Sequence, residues 1–468
     1  MDPTLSRRRL LQSVALAGLA SGCTTRRLSG RRGTRSSSTG APDTSTDDLR
    51  LRLERATYGA TPALLAEVSA MGFGKWIDRQ LDPATRTKDK SFTRLNAAID
   101  ATMPDLAELR TRDKVAKAGY RRSSIEGITA RTVLGAAYAP DQLRQRMVDL
   151  LADRLHVAVS QTPVVYYVPA YDAMLRDHAF GRFSDLLVEM ARHPAMLLFL
   201  DNATSRADGD HVPNENFGRE LMELHTVGLD GGYDEVDVGE VAHVFSGWSL
   251  DRATGGYAFK PKRHSLGGFA TRGDVLGWRP RGDGEAAGRE LLEHLARHPA
   301  TEARLALLMA RRFVSEDIRA DDRLVIEAAR VYREHDTELG PVLRHLLTSD
   351  RFPAAATSML RRPVDLVATT LRRGADAPTP DRLDHVSTNL SGLLRVLGQV
   401  PYCWPAPNGY PTPTAAWASA GAIIARWNAM TTLAHAAPAG LALDPSRFDA
   451  HDEQDLLLAL CGPDIQLV

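Results

Sequence analysis

Pro213-Asn-Glu-Asn-Phe-Gly-Arg-Glu-Leu-Met-Glu-Leu-His-Thr-Val-Gly228 sets polar side chains into an apolar rhythm. Phe217, Leu221 and Leu224 recur at threes and fours, the spacing of one helix face. At about 100° per residue, Asn216, Glu220 and Glu223 fall together on one flank of that stripe, with Val227 among them. Glu220 is nearest the apolar centre and Arg219 lies on the polar side. His225 stands on the opposite flank, about 140° from Glu220, so one regular helix does not present both to a single metal ion. Glu215 is placed to cap the helix start, where carboxylates are favoured.

A carboxylate at the edge of an apolar stripe is either paired or costly. On one reading, Asn216, Glu220 and Glu223 are catalytic: they hold an oxygen-seeking divalent metal or supply a general acid/base carboxylate. On the other, Glu220 is buried against an arginine of a neighbouring helix and fixes packing. Arginines are plentiful for that purpose, since only seven of the 58 basic residues are lysine.

Working outward, Gly231-Gly232 reads as a turn, and Asp234 as the N-cap of a second helix reaching Phe245. Asp230, Asp234 and Asp237 loosely follow calcium-loop spacing but lack the D-x-D-x-D-G pattern and the closing glutamate. Glu240 and His243 have the i,i+3 spacing of di-iron bundles, yet such pairs arise readily by chance and surface pairing is the simpler reading. Lys260-Pro-Lys-Arg-His264 is a basic loop, suited to an anion or simply solvated. His264 joins Glu220 as the candidate metal ligand set. Gly255-Gly-Tyr-Ala-Phe-Lys260 begins a short hairpin, expected to return near Asp274 to Trp278.

Elsewhere the helical period dominates: Leu143 to Val159, Phe183 to Leu200, Ala303 to Val314, Arg323 to Tyr332, Val342 to Leu347 and Leu390 to Leu397 all carry it. Pro194, Gly340, Pro353, Pro363 and the proline-rich stretch from Pro401 to Pro413 punctuate these runs. The expected fold is all-α, a large multi-helix domain over residues 49–468 with a small irregular or β-hairpin insert. The 468 residues are 43% hydrophobic, enough for a large core, and 58 acidic residues balance 58 basic ones, which gives no global field for nucleic acid. H-E-x-x-H, G-x-S-x-G and Walker A motifs are absent from the sequence. Gly282, Gly284 and Ala287 resemble a dinucleotide loop but follow no strand signal. Cys403 and Cys461 either pair in an oxidising compartment or stand as two small buried side chains.

At the N-terminus, Ser6-Arg-Arg-Arg-Leu-Leu11 precedes a short apolar run ending at Gly22. That run suits a signal peptide and not a spanning helix, and the arginines mark it as twin-arginine type. Ala20-Ser-Gly-Cys23 resembles a lipoprotein cleavage box with Cys23 lipidated; the alternative is simple cleavage to a periplasmic or secreted protein. Residues 1–22 are therefore read as leader and 23–48 as a flexible Ser/Thr/Arg-rich tether. No later run reaches the roughly 18 apolar residues of a membrane span.

These stretches together resemble the bacterial exported family known as domain of unknown function 1800. The likeness runs through Leu53-Glu-Arg-Ala-Thr-Tyr-Gly-Ala-Thr61, Trp76-Ile-Asp-Arg-Gln-Leu-Asp-Pro83 and Leu175-Arg-Asp-His-Ala-Phe-Gly-Arg-Phe183. It continues through His193-Pro-Ala-Met-Leu-Leu-Phe-Leu-Asp-Asn202, Arg312-Phe-Val314, Leu347-Thr-Ser349, Gly398-Gln399 and Gly409-Tyr410. Its most specific part is Asn214 to Thr226 with Gly231-Gly-Tyr233 and Gly247-Trp248; Arg219, Gly231, Gly232, Tyr233 and Trp248 are expected to serve structure there. The resemblance implies a helical exported protein without an assigned activity. It also implies an exported partner protein resembling the alkaline-phosphatase superfamily. This chain departs from the pattern: Leu151-Ala-Asp-Arg-Leu155 replaces a His-rich run, His264-Ser265 replaces a His-Asp pair, and His243 stands where relatives carry arginine. If those groups bind a metal in relatives, part of the set is lost here. Two functions remain open: a metal-assisted, hydrolase-like enzyme of the cell envelope, or a non-catalytic lipoprotein that binds or scaffolds an exported partner.

Overall fold

Apolar residues recurring at threes and fours become helices throughout the computed structural model of this protein. It describes residues 46–87, 89–103, 114–159, 163–265, 272–282, 284–435 and 441–468, and residues 45–468 form one compact unit. The predicted leader, Cys23 and most of the predicted tether lie outside the described residues. Helix α1 (Thr46–Ala56) begins three residues ahead of the predicted domain start at Leu49, with Asp47 and Asp48 in its first turn, where carboxylates favour the helix dipole.

The chain continues through α2 (Pro62–Met71), α3 (Phe73–Leu81), α4 (Lys90–Thr102), the long α5 (Lys114–Tyr138) and α6 (Gln142–Arg154). Next come α7 (Val168–Asp177), α8 (Phe183–Arg192), α9 (Pro194–Phe199), α10 (Asn216–Glu220) and α11 (Glu235–Val244). The predicted run from Phe183 is thus split at Pro194, where the His193 side chain accepts from Ala195 N and starts a new helix. Asp234 caps α11 as expected, in a reciprocal capping box with Asp237. The second half comprises α12 (Gly284–Ala296), α13 (Pro299–Phe313), α14 (Arg323–Glu334), α15 (Leu339–Thr348), α16 (Phe352–Ala355) and α17 (Pro363–Gly374). It closes with α18 (Leu383–Leu397), α19 (Ala420–His435), α20 (Glu453–Cys461) and α21 (Pro463–Gln466).

The helices bury two large apolar clusters. The larger takes in Trp76, Phe183, Phe217, Trp248 and Phe313. The second joins α4, α5, α17, α18, α19 and α20 through residues such as Leu134, Val367, Leu394 and Met430. Cys403 packs against both clusters. It and Cys461 are free thiols, so the disulfide alternative does not hold and the two serve as small apolar side chains.

The β insert exists, with a different partner. Strand β1 (Trp248–Leu250) pairs antiparallel with β2 (Tyr257–Phe259), Trp248 opposite Phe259. The hairpin therefore returns to the residues before Gly255 and not to Asp274–Trp278. That later stretch makes only a local bridge between Val275 and Trp278. Trp248 explains the choice: it is fully buried and meets Phe245 and Tyr257 edge-on at 5.0 and 5.4 Å. Among the described residues no helix is long and apolar enough to cross a membrane.

Candidate functional site: an arginine-lined cavity

The predicted motif starts as a helix and then departs from one. Beyond α10, Leu221–His225 form a π turn. Thr226 Oγ1 donates to Leu221 O at 2.7 Å and Gly228 N to Met222 O at 2.8 Å. Bonding of this wider kind advances less per residue around the axis than an α-helix does, so the regular helical wheel fails past Leu221. His225 rotates into the fully buried stripe with Phe217 and Leu221, and Leu224 moves to a half-buried place. The expectation that Leu224 completes the stripe, with His225 on its flank, is corrected on that ground. Asn214 Oδ1, not Glu215, accepts from Asn216 N at 2.8 Å. Glu215 instead turns to Arg219.

Glu220 and Glu223 are half-buried neighbours. Burial and the Glu223 charge raise the Glu220 pKa, with Arg219 opposing. Among the described residues Glu220 makes no ion pair, so the expected packing arginine is missing. Arg219 binds Glu235 through both terminal nitrogens at 2.8 and 2.7 Å, tying α10 to the start of α11. Gly231 N closes a turn onto Gly228 O at 2.8 Å, and half-buried Tyr233 packs against the core.

His264 is buried elsewhere. Its Nδ1 lies 2.9 Å from Ser246 O and its ring meets Phe259 at 5.4 Å. Among the described residues no three His, Cys, Asp or Glu side chains are grouped to hold a metal ion, and Glu220 and His264 form no such group there. Two of the three calcium-like aspartates are already taken: Arg272 pairs with Asp234 at 2.9 Å and with Asp237. Glu240 accepts from the Arg272 backbone N–H, and His243 Nδ1 meets Ser265 Oγ at 3.0 Å.

A second concentration of charge lies where the sequence carries no motif. A cavity of about 690 Å³ opens between α6, α13, the start of α17 and loop 404–414. Six arginines line it: Arg146, Arg154, Arg304, Arg311, Arg312 and Arg362. They divide into two sets.

Arg146, Arg312 and Arg362 belong to a buried ionic network. Arg362 pairs with Asp149 and Asp153, Arg312 with Asp149 and Asp365, and Arg146 with Asp365 at 3.1 Å. Burial pushes the Asp365 carboxyl up, but Arg312, Arg146 and Arg362 outweigh it and hold it below its ordinary value. Asp153 goes the other way. Burial pushes it up to about 6; Arg362 opposes the shift and Asp149 adds to it.

Arg154, Arg304 and Arg311 form the second set, and none has an ion-pair partner among the described residues. Arg154 Nη2 reaches Thr226 O at 3.4 Å, and its Nε is buried without a hydrogen-bond partner. Arg304 Nη1 donates to Glu223 O and reaches Thr226 O at 3.5 Å. Arg311, seven residues along the same helix face, is exposed and donates from Nε to Ile318 O at 2.9 Å. Burial and the Arg304 charge pull the Arg154 pKa well below its ordinary range. Burial lowers Arg304 too, only partly offset by Glu223, Tyr233 and Asp230.

The predicted motif and the cavity are therefore one assembly. Carbonyls at the end of the π turn brace Arg154 and Arg304, and His225 Nδ1 lies 3.1 Å from Arg154 O. Two aromatic residues, Trp404 and Tyr410, line the cavity as well. Gly409, at φ +68°, lets the loop close on the Asp153 backbone, where any Cβ would collide. Tyr410 N donates to Asp153 Oδ1 at 3.3 Å, and its ring lies 5.2 Å from that of Trp404. Leu151-Ala-Asp-Arg-Leu155, where the sequence departs from the resembled pattern, supplies both Asp153 and Arg154.

A family model described as "Protein of unknown function (DUF1800)" matches residues 52–464. No curated protein and no solved structure matches the chain.

Proposed function

The chain belongs to the DUF1800 family of proteins of unknown function, and from that premise we propose that it is an exported, non-catalytic binding protein, tethered through a lipid on Cys23. The carrying observation is how its ionic groups are distributed. Glu220, Glu223 and His264, the residues a metal-assisted hydrolase would use, do not converge as metal ligands among the described residues. The arginines do converge, on a cavity stiffened by buried ion pairs. A preformed concave site with fixed charges is what binding needs. The twin-arginine leader and the Cys23 box supply the export and the tether, and an exported partner resembling the alkaline-phosphatase superfamily remains the protein such a module would scaffold.

Elemental analysis of natively exported protein, beside Glu220→Gln and His264→Ala, tests the metal-free part. Wild type is expected without stoichiometric metal; metal that falls in either variant overturns it. Metabolic palmitate labelling tests the tether. Label is expected on wild type and not on Cys23→Ala, and an unlabelled wild type overturns it.

A catalytic reading has one observation in its favour. The Asp153 carboxyl, pushed up to about 6, lies on the cavity wall in the range of a general acid. Turnover of a cavity ligand, lost in Asp153→Asn, would establish that reading.

A further inference from the structure

Two guanidinium groups rarely share one surface without an anion between them. A buried cation left unpaired is expensive, and a second cation beside it raises the cost. Arg154 and Arg304 nevertheless approach the same carbonyl, at 3.4 and 3.5 Å from Thr226 O. Burial lowers the pKa of both, Arg304 lowers that of Arg154 further, and Glu223 only partly offsets the burial of Arg304; neither has a carboxylate within ion-pair distance among the described residues. Arg154 Nε is sealed off without any acceptor. Arg311, on the same helix face, also lines the cavity and is exposed.

The cavity also carries acidic groups beyond those that pair with Arg146, Arg312 and Arg362. Glu316 and Asp317 line it. Glu316 Oε2 accepts from Thr414 N at 2.6 Å and Asp317 Oδ2 from Thr357 Oγ1 at 3.1 Å, which leaves each carboxylate a second oxygen to accept with. Trp404 and Tyr410 also line the cavity, their rings 5.2 Å apart. The cavity of about 690 Å³ is far larger than a bare oxyanion needs.

We propose that the cavity is a receptor for a phosphorylated sugar, its phosphoryl group held by Arg154, Arg304 and Arg311. A single carboxylate satisfies one guanidinium edge in a bidentate pair, whereas a phosphoryl group offers three oxygens and close to two negative charges, enough for several arginines at once. The Glu316 and Asp317 carboxylates accept sugar hydroxyls and repel a second anionic group, and the Trp404 and Tyr410 rings supply apolar surface for the sugar. This deepens the reading of the chain as a binding protein and rests on it.

Titration calorimetry of the mature chain at low salt tests the site, with glucose 6-phosphate, glucose, inorganic phosphate and O-phosphoethanolamine as probes. Saturable binding of glucose 6-phosphate is expected, at least about tenfold tighter than inorganic phosphate, with none for glucose. Arg304→Gln and Arg311→Gln are each expected to weaken it about tenfold or more. Arg311 is the safer variant, since among the described residues its side chain bonds only a backbone carbonyl; a thermal melt without ligand confirms that each variant folds. Absence of glucose 6-phosphate binding, or binding that ignores both variants, overturns the site. Equal affinity for inorganic phosphate, or tighter binding of O-phosphoethanolamine, overturns the sugar part. Release of phosphate from glucose 6-phosphate in the same cell would sink the non-catalytic reading and leave the receptor standing, so the two failures are distinguishable.

Discussion

Arg154 and Arg304 converge on one backbone oxygen, that of Thr226, from two different helices. The carbonyl sits at the end of the π turn, where the wider bonding frees backbone acceptors that a regular helix would have used within itself. The conspicuous motif of the sequence thus meets the cavity through its backbone carbonyls. Glu220 and Glu223 remain half-buried, and the Glu223 charge raises the Glu220 pKa. The backbone behind them, at Glu223 O and Thr226 O, holds cations at a cavity wall.

Gly228→Ala tests that brace. Gly228 has φ +85°, and a Cβ there would meet Arg304 Nη1 at 2.8 Å and Cδ at 3.0 Å. Arg304 cannot swing away freely, because its bonds to Glu223 O and Thr226 O hold it. The substitution is expected to cost about 1–3 kcal/mol in urea unfolding and to weaken glucose 6-phosphate binding. Unchanged stability would mean that Arg304 is not fixed by the turn.

Asp365→Asn tests the buried network. Asp365 faces Arg146 at 3.1 Å and Arg312 at 3.3 Å. Removing its charge leaves both cations undercompensated in a buried setting, at an expected cost of about 3–5 kcal/mol. Arg344→Ala is the contrast: its partner Asp78 lies 2.7 Å away, but both side chains are about half exposed. That pair is expected to matter by less than about 1 kcal/mol. Chemical denaturation of the two variants beside wild type checks the ordering.

The fold was legible because its signal is local. Helices such as α6, α13 and α18 carry their apolar period within a dozen or so residues, and the Asp234 cap needs only its neighbour Asp237. The cavity was not legible because it is assembled from afar. Arg362 reaches Asp149 across 213 residues of sequence, and no period or motif encodes such a meeting. One hint existed: Asp149 and Asp153 are i,i+4 carboxylates on a helix whose other residues include Leu150 and Leu151, and burial of that face requires countercharges. The π turn was invisible for another reason. A helical wheel assumes one advance per residue, and nothing in Leu221–His225 marks the change of pitch. Trp248 misdirected the hairpin, since its strand role depends on burial against Phe245 and Tyr257, which alternation alone does not reveal.

Glu220→Gln separates the two views of the motif. The Glu220 pKa is raised in the folded state, by burial first and then by Glu223. The stability this group contributes is therefore fully present below its unfolded pKa and is lost as pH rises through the folded value. Neutralising it is expected to stabilise the protein slightly at pH 7, by less than about 1 kcal/mol given its exposure, with the gain vanishing near pH 4. Thermal melts at the two pH values check this. A marked loss of stability at pH 7 would instead show that Glu220 is a paired structural carboxylate.

Acid should unfold this protein by charging its buried histidines. Burial and then Arg154 hold the His225 pKa down to about 3, and burial holds His193 at about 4. Burial lowers His156 as well, against hydrogen bonds to Trp404 O and the Ala152 backbone. For each, the folded state keeps the neutral ring while the unfolded chain protonates near pH 6.5. The stability they contribute is thus present above pH 6.5 and is lost as pH falls toward the folded values. Each imidazole steepens that loss by up to about 1.4 kcal/mol per pH unit. Asp153, raised to about 6, has the opposite sign and recovers stability over the upper part of the same window. One carboxyl does not offset three histidines, so the unfolding free energy is expected to fall between pH 6.5 and 4.5. Removing the offset should make the fall steeper, so the measurement is urea unfolding against pH for wild type, His225→Gln and Asp153→Asn. A shallower slope in the first variant and a steeper one in the second is the expected pair. A wild-type profile flat across this range would show that these imidazoles do not stay neutral in the fold.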